Sequence, residues 1–167
     1  MPDAVAFEAF VRTNSRTLFG TAYLLTGDPG AAEELLQDTL ARLYPKWASV
    51  QSATSQVAYV RRAIANRFIS SKRSRDARDI SAWEAPELAD ADDVASTVTD
   101  RRMLWQLLAT LPERQRAAIV LRFFHDLPDA EIATALDCRE VTVRSLVSRG
   151  VAAMRGRAFI AERGEHR

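Results

Sequence analysis

Apolar residues recur at helical spacing through most of the chain, and this pattern predicts a series of amphipathic helices. Six of them form the apolar stripe of a first helix: Phe7, Phe10, Val11, Leu18, Ala22 and Leu25. The tetrapeptide Thr26-Gly27-Asp28-Pro29 predicts a break, because Gly suits a helix C-terminus, Asp an N-cap and Pro a first turn. The pattern therefore predicts two successive helices joined by a tight turn.

The second predicted helix combines a leucine-rich stripe with a polar face that is rich in acids. The apolar stripe consists of Ala32, Leu35, Leu36, Thr39, Leu40 and Leu43. The polar face carries Glu33, Glu34, Gln37, Asp38 and Arg42. Such a face is either simply solvated or a docking surface for a basic or coiled-coil partner, and helical periodicity alone does not decide between the two interpretations.

A third helix is predicted from Ser55 to Arg73, after Pro45 ends the second helix and residues 46–54 form a loop. Its apolar positions are Val57, Val60, Ile64 and Phe68. A basic run begins on this helix and holds seven cations: Arg61, Arg62, Arg67, Lys72, Arg73, Arg75 and Arg78. Asp76 is the one acid within the run.

Aromatic and amide side chains accompany this basic run, namely Trp47, Tyr59 and Asn66. This combination suits single-stranded DNA, whose bases stack on rings while its phosphates meet cations. The plain alternative is a basic helix end that complements its own dipole. The density of charge favours the nucleic-acid interpretation.

The last part of the chain has the pattern of four further helices, and the final two are joined by a tight turn. Apolar positions of the first two are Met103, Leu104, Leu107, Leu108 and Leu111, then Ala117, Val120, Leu121 and Phe124. The final pair is predicted at Pro128 to Leu136 and at Glu140 to Met154, with Asp137 and Cys138 between them. This is the layout of a helix-turn-helix, whose second helix enters the major groove of DNA.

The second helix of this pair has one apolar face and one face suited to DNA. The apolar positions are Val143, Val147, Gly150, Val151 and Met154. The opposite face carries Thr142, Arg144, Ser145, Ser148, Arg149, Ala152 and Arg155, with no acid between Val141 and Arg155. Hydroxyl and cationic groups bind base edges and phosphates, so the pattern favours DNA binding over an ordinary helical hairpin with a solvated face.

Composition and charge distribution divide the chain into two helical domains. With 167 residues, 47 % hydrophobic and 27 % charged, the chain is globular, and Val, Ile and Thr do not alternate as in strands. Residues 1–80 hold 11 Lys and Arg against 8 acids, residues 81–98 hold 5 acids and no cation, and residues 99–167 hold 12 cations against 9 acids. The predicted fold is therefore all-α: a domain at 1–80, an acidic flexible linker at 81–98 and a helix-turn-helix domain at 99–167.

Several functional classes lack support in the sequence. One cysteine excludes an internal disulfide and a multi-cysteine zinc site, and no catalytic constellation or phosphate loop is present, so we expect neither an enzyme nor a cofactor or metal. His125 stands alone at a predicted helix end and is expected to have a capping or surface role. The first residues lack a signal peptide, and no apolar run approaches membrane-spanning length, so we expect no membrane insertion and a cytoplasmic protein.

Motifs in both predicted domains resemble extracytoplasmic-function sigma factors, the small bacterial initiation subunits of RNA polymerase. In the last domain these are Leu111-Pro112-Glu113-Arg114-Gln115-Arg116, Asp129-Ala130-Glu131-Ile132-Ala133, Thr142-Val143-Arg144-Ser145 and Ser148-Arg149. In the first domain they are Leu24-Leu25-Thr26-Gly27-Asp28, Ala32 through Asp38, and Tyr59 through Arg67. The resemblance covers about residues 5–157 in the order that the family has.

The resemblance implies a role for each surface. Glu33, Glu34, Gln37 and Asp38 would bind the clamp helices of the largest polymerase subunit. Unpaired bases of the minus-ten promoter element would be captured by Trp47, Tyr59, Arg61, Arg62, Asn66 and Arg67. The duplex minus-thirty-five element would be recognised by Thr142, Arg144, Ser145, Ser148 and Arg149. The acidic linker would follow the RNA exit path, and an anti-sigma factor would regulate the free protein.

Two other classes of protein remain possible on the sequence alone. One is a helix-turn-helix regulator that binds duplex DNA without being a polymerase subunit, although residues 1–80 show no sensor motif and no sustained heptads. The other is a helical adaptor with no DNA contact, which the acid-free cationic face of the last helix disfavours.

Overall fold

The described parts of the chain are entirely helical, apart from their turns and termini. A computed structural model describes residues 1–71 and 98–164, with the backbone alone for 98–102 and Ala161. Its helices are α1 (Ala4–Thr26), α2 (Pro29–Leu43), α3 (Trp47–Gln51), α4 (Gln56–Ser70), α5 (Val98–Ala109), α6 (Glu113–Ile119), α7 (Asp129–Leu136) and α8 (Glu140–Gly164). A 3-10 turn at Tyr44–Lys46 precedes α3, and a π-helical segment at Val120–Phe124 continues α6.

The predicted turn between the first two helices is confirmed in its details. Gly27 has a φ of 69°, a left-handed conformation that glycine adopts without strain, and its N–H donates to the Tyr23 carbonyl. Asp28 then caps α2, because its carboxylate accepts a hydrogen bond from the Ala31 N–H at 2.7 Å. Pro29 is the first residue of α2.

The loop predicted at residues 46–54 is wrong over its first part. The 3-10 turn and α3 occupy Tyr44 to Gln51, because Trp47 and Val50 are drawn into the core with 1 % and 0 % of their surfaces exposed. Helix α4 starts after the N-cap Ser55 and ends at Ser70 rather than at Arg73. The rest of the predicted basic run, from Lys72 to Arg78, lies outside the described residues.

The N-terminal half is a bundle in which α1, α2 and α4 pack against one another. Its largest fully buried side chains are Leu18, Tyr23, Leu25, Trp47, Ile64 and Phe68. The rings of Phe7 and Phe10 each lie 5.0 Å from the Trp47 ring, counted between centroids. These aromatic contacts fasten the short α3 to α1.

The C-terminal half contains the predicted helix-turn-helix. Asp137 ends α7 with a φ of 51°, and the Cys138 N–H donates to the Ala133 carbonyl at 3.0 Å, which closes the turn. Helix α8 packs on α5, α6 and α7, and it extends to Gly164 instead of the predicted Met154. Val143 and Gly150 are buried on its inner face, whereas Val147 is half-buried.

The two halves pack directly against each other, which the sequence pattern did not predict. Helix α4 packs on α6 and α7, and α1 packs on α5 and α6. The Arg116 guanidinium donates to the Leu25 carbonyl at 2.5 Å, and Thr21 Oγ1 lies 2.9 Å from His125 Nε2. The predicted class, all-α with two helical domains, is confirmed, while residues 81–97 of the predicted linker lie outside the described residues.

Candidate nucleic-acid interface

The polar face of α2 is open to solvent over its first two turns. Glu33, Glu34 and Gln37 are exposed, and Gln37 Nε2 donates to Glu33 Oε1 at 3.1 Å. This bond links residues one helical turn apart and leaves the acidic character of the face unchanged. The face can therefore meet a cationic partner without rearrangement of the bundle.

Asp38 differs from these three residues because it binds two arginines. Arg42 Nε lies 3.2 Å from its carboxylate, and Arg67 of α4 binds the same oxygen, Oδ2. Burial alone would raise the pKa of Asp38, but hydrogen bonds from Arg67 and Arg42 outweigh burial and lower it. Asp38 therefore joins α2 to α4, in addition to lying on the predicted polymerase-binding face.

Trp47 does not lie on the predicted DNA-binding surface. Its side chain is in the core of the N-terminal half with 1 % of its surface exposed, between Phe7 and Phe10. A base cannot stack on a ring whose faces and edges are packed by other side chains. The assignment of Trp47 to base capture is corrected, because its large apolar ring is used to anchor α3.

Three of the other predicted residues, Tyr59, Arg62 and Asn66, follow one another along α4 at helical spacing. The Arg62 guanidinium lies over the Tyr59 ring at 5.7 Å from the centroid, a cation–π contact. Asn66 is exposed, one helical turn further along. Each of the two polar residues also has a partner in the C-terminal half: Arg62 Nη1 lies 3.1 Å from Glu131 Oε1, and Asn66 Nδ2 donates to the Ala135 carbonyl at 3.0 Å.

A groove of about 640 Å³ is lined by residues of α2, α4 and α7. One wall, formed by the N-terminal half of the chain and called here the N-terminal wall, includes the side chains of Arg42, Lys46, Tyr59, Arg62, Asn66 and Arg67. The opposite wall, formed by the C-terminal half and called here the C-terminal wall, consists of Ala130, Glu131, Thr134 and Ala135. The predicted minus-ten surface thus lines a groove with cations on one side and a single acid, Glu131, on the other.

Arg61 points to a different part of the molecule from Arg62. It is half-buried, and its Nε has no hydrogen-bond partner among the described residues. Burial and the positive charge of Arg61 lower the pKa of His125 to about 4. His125 occupies the C-cap position of the segment Val120–Phe124, as expected from its place at a helix end. It is not a surface residue, because it is half-buried where the halves meet and bonds to Thr21.

The predicted minus-thirty-five residues lie along the outer side of α8. Arg144, Ser148 and Arg149 are exposed, while Thr142 and Ser145 are half-buried. Arg144 Nη1 lies 3.7 Å from Asp129 Oδ2, and Arg122 binds the other oxygen of the same carboxylate. The N-terminal part of α8 therefore presents a partly tethered arginine, with 58 % of its side chain exposed.

Sequence reasoning did not identify Asp129, Glu131 and Arg116 as partners of these surfaces. Asp129 and Glu131 lie in the first turn of α7, where acids are expected for reasons of helix dipole alone. Arg116 donates to the carbonyls of Leu108 and Leu111 at 2.9 and 3.0 Å. Each of these contacts joins separate elements, so helical periodicity within one element carries no signal for them.

Comparison with known proteins finds sigma factors over almost the whole chain. The family model described as Sigma-70 region 2 matches residues 10–78, and the model described as Sigma-70, region 4 matches residues 101–154. The RNA polymerase sigma-E factor of Streptomyces coelicolor is 33 % identical over 93 % of this chain and 87 % of its own. The ECF RNA polymerase sigma factor SigL of Mycobacterium tuberculosis is 28 % identical over 92 % of this chain and 89 % of its own.

A solved structure shares the fold. The sigma factor RpoE of Bartonella quintana, crystallised in complex with the anti-sigma factor NepR, superposes with a TM-score of 0.70 at 22 % identity. The likeness covers 90 % of this chain and 95 % of that one, so it extends over both helical halves. From its sequence relatives and the two successive region matches, the chain belongs to the sigma-70 family of RNA polymerase subunits, as an extracytoplasmic-function sigma factor.

Proposed function

We propose that the chain binds core RNA polymerase and directs transcription initiation at specific promoters. The observation that carries this proposal is the similarity to the Streptomyces coelicolor sigma-E factor, which extends over 93 % of the chain and therefore over both halves. For a helix-turn-helix regulator that acts without polymerase, we would expect similarity to sigma factors only in the C-terminal half, which holds the helix-turn-helix. The proposed role is that of an initiation subunit in the cytoplasm, without a catalytic step of its own.

We assign polymerase binding to the outer face of α2. Glu33, Glu34 and Gln37 support this assignment, because they are exposed and form a contiguous acidic and polar surface. Asp38 adjoins them but is also bound by Arg42 and Arg67. Complementary charge steers partners together and fixes their orientation, so a cationic surface on the polymerase is the expected partner.

Unpaired bases of the minus-ten element are assigned to the α4 side of the groove. Tyr59 offers a ring for stacking, Arg62 and Arg67 offer charge for phosphates, and Asn66 offers an amide for base edges. Arg61 is adjacent in sequence to Arg62 but is not assigned to this surface, because it is half-buried beside His125. Trp47 is left out of the assignment because it is buried.

Duplex DNA of the minus-thirty-five element is assigned to α8. Arg144, Ser148 and Arg149 support the assignment through their exposure on the outer side of the second helix of a helix-turn-helix. An α-helix fits the major groove, where each base pair presents its own pattern of donors and acceptors. Thr142 and Ser145 are half-buried and are assigned to the edge of this contact.

An anti-sigma factor is the proposed regulatory partner. The structural neighbour from Bartonella quintana was solved with such a protein, NepR, bound to it. A partner of this kind would act on the free chain before it joins polymerase.

Reconstituted transcription tests the proposed function. The purified chain is mixed with bacterial core RNA polymerase and a library of genomic promoter fragments, and the RNA starts are sequenced. We expect starts at a small set of promoters with a shared upstream motif, in contrast to the background from core enzyme alone. A matched reaction uses the double variant R144A/R149A, and the RNA starts that it produces should no longer share the upstream motif. Starts that are identical with and without the chain would contradict the proposal.

A further inference from the structure

Helix α7 covers the face of α4 that we assign to single-stranded DNA. Arg62 of α4 pairs with Glu131 of α7 at 3.1 Å, and Asn66 donates to the Ala135 carbonyl at 3.0 Å. Both α4 residues belong to the proposed minus-ten surface, and both of their partners belong to the first helix of the helix-turn-helix. The two DNA-binding parts of the chain are thus bound to each other.

The groups that α7 supplies match those of a nucleic-acid strand. The Glu131 carboxylate is an anion on an arginine, as a phosphate would be. The Ala135 carbonyl is an acceptor for an amide N–H, as the edge of a base would be. Both groups stand on the C-terminal wall of the groove, facing the cations of α2 and α4.

We propose that α7 is an intramolecular competitor of single-stranded DNA for α4, so that the free chain is closed and must separate its halves before it binds the strand. The inference rests on the assignment of α4 to unpaired promoter DNA. It goes beyond that assignment in two ways. It names the groups that occupy the α4 surface in the absence of DNA, and it makes separation of the two halves a step in DNA binding.

Contacts away from the groove hold the same closed arrangement. Arg116 donates to the Leu25 carbonyl at 2.5 Å, His125 bonds to Thr21 at 2.9 Å, and the rings of Tyr23 and Trp105 lie 5.9 Å apart. The closed arrangement is thus joined at α1 as well as at α4.

The ion pair at the groove is weak enough to be reversible. The side chains of Arg62 and Glu131 keep 26 % and 40 % of their surfaces exposed, so solvent screens their attraction. Removal of such a pair shifts an equilibrium by about twofold to fivefold. When the competent form is a minor fraction of the free chain, the apparent affinity for DNA changes by the same factor.

Two variants of α7 test the competition in opposite directions. Glu131→Ala removes the anion, and its matched control is Glu162→Ala, an exposed acid on α8 that changes the net charge equally. Thr134→Glu adds an acid facing the cations of the groove, and its control is Thr13→Glu on α1. Both threonines are exposed and both hydroxyls donate to the carbonyl four residues earlier, at 3.1 and 2.9 Å.

Binding and size are measured on the full chain. A fluorescein-labelled short single-stranded oligonucleotide of randomised sequence reports affinity by anisotropy, and small-angle X-ray scattering reports the radius of gyration. We expect Glu131→Ala to bind the oligonucleotide about twofold to fivefold more tightly at a radius of gyration close to that of the parent chain, because the open form remains a minor fraction. Thr134→Glu should bind more weakly and be no larger, and both controls should match the parent chain.

Equal affinity of each variant and its control would overturn the proposal. A gain in affinity for Glu131→Ala without a gain for Thr21→Val, which removes the bond to His125 between the halves and changes no charge, would also overturn it, because the carboxylate would then only repel DNA. If circular dichroism shows that Glu131→Ala is unfolded, Thr21→Val decides alone, because tighter binding by this uncharged variant cannot come from repulsion of DNA. Failure of reconstituted transcription, with these shifts still present, would reject the proposed function but not the closed arrangement.

Discussion

Asp129 holds Arg144 close to the start of the recognition helix. Its carboxylate lies 3.7 Å from Arg144 and is bound by Arg122 through its other oxygen. A guanidinium tethered in this way loses less conformational freedom when it binds a base than one that is fully mobile. Arg149 is exposed one turn and a half further along. On the proposed assignment of α8, the two arginines would therefore meet different parts of a duplex.

Replacement of each arginine should therefore have a different effect on promoter use. Arg144→Ala is expected to lower discrimination at one position of the minus-thirty-five element by about 1–3 kcal/mol, because a base contact is lost. Arg149→Ala is expected to weaken binding to all sequences and to reduce its salt dependence, as loss of a phosphate contact does. Transcription over a panel of upstream sequences, with circular dichroism of each variant, measures both effects. Normal transcription from both variants would contradict the assignment of α8.

The half-buried imidazole of His125 makes stability depend on pH in a defined window. Its pKa falls from 6.5 to about 4 because of burial and the nearby charge of Arg61. Between these values the unfolded chain binds a proton that the folded chain does not, so the free energy of unfolding falls as the pH is lowered. The pKa of Asp38 is lowered by Arg67 and Arg42, so its carboxylate adds to this loss of stability only at the acid end of the window.

His125→Gln should remove this dependence. Between pH 7 and pH 5 the parent chain is expected to lose about 2 kcal/mol more stability than the variant, as measured by urea unfolding. His166→Gln is the matched control, since His166 is the other histidine of the chain. An equal loss in the parent and in His125→Gln would show that the imidazole is not the titrating group.

Close packing of α8 on α6 depends on a residue without a side chain. Gly150 is buried, and a Cβ added there would collide with Cδ1 of Ile119, which is itself 3 % exposed. A Cβ at Gly156 of the same helix would meet nothing within 4 Å. The two glycines therefore separate the packing effect of a methyl group from its effect on helix propensity.

Alanine at these two positions should change stability in opposite directions. Gly150→Ala is expected to lower the free energy of unfolding by about 1 kcal/mol, because the clash with Ile119 outweighs the gain in helix propensity. Gly156→Ala is expected to raise it by about 0.5–1 kcal/mol. Urea denaturation measures both. Stabilisation by Gly150→Ala would mean that α6 and α8 are farther apart than described.

The role of helix α2 can be tested through Glu34, an exposed acid on its outer face. Glu34→Lys should weaken binding to core polymerase about threefold to tenfold, because a favourable charge contact becomes repulsive. Glu8→Lys on α1 has the same charge change at another exposed site and serves as the control. Asp38 is unsuitable for this purpose, because its loss would also release Arg42 and Arg67. Equal polymerase affinity of both variants in a pull-down would remove α2 from the interface.

At the scale of the whole molecule, helical periodicity predicted the elements better than their assembly. The caps at Gly27 and Asp28 follow from local chemistry, so the sequence carries them directly. The contact of α4 with α7 joins residues 69 positions apart through one amide and one backbone carbonyl, and a carbonyl has no signature in the sequence. Family resemblance identified the chain but did not indicate that its two DNA-binding halves are packed together.

In the candidate site, too, features within one helix were predicted and contacts between helices were not. Exposed polar residues on α8 were predicted by their place opposite Val143, which is buried. Trp47 was misplaced because an aromatic residue beside a basic run is compatible with stacking on a base and with burial in a core. Only the positions of Phe7 and Phe10, on another helix, decide between these roles.

The carboxylate that Arg42 and Arg67 share has a thermodynamic consequence. Asp38 joins α2, the proposed polymerase helix, to α4, the proposed single-strand helix. A cation of the polymerase that binds Asp38 leaves Arg67 available for a phosphate, and a phosphate on Arg67 leaves Asp38 available for the polymerase. Linkage between two binding sites is reciprocal. Through this one carboxylate, core polymerase and the melted strand would each increase the affinity of the chain for the other by the same factor.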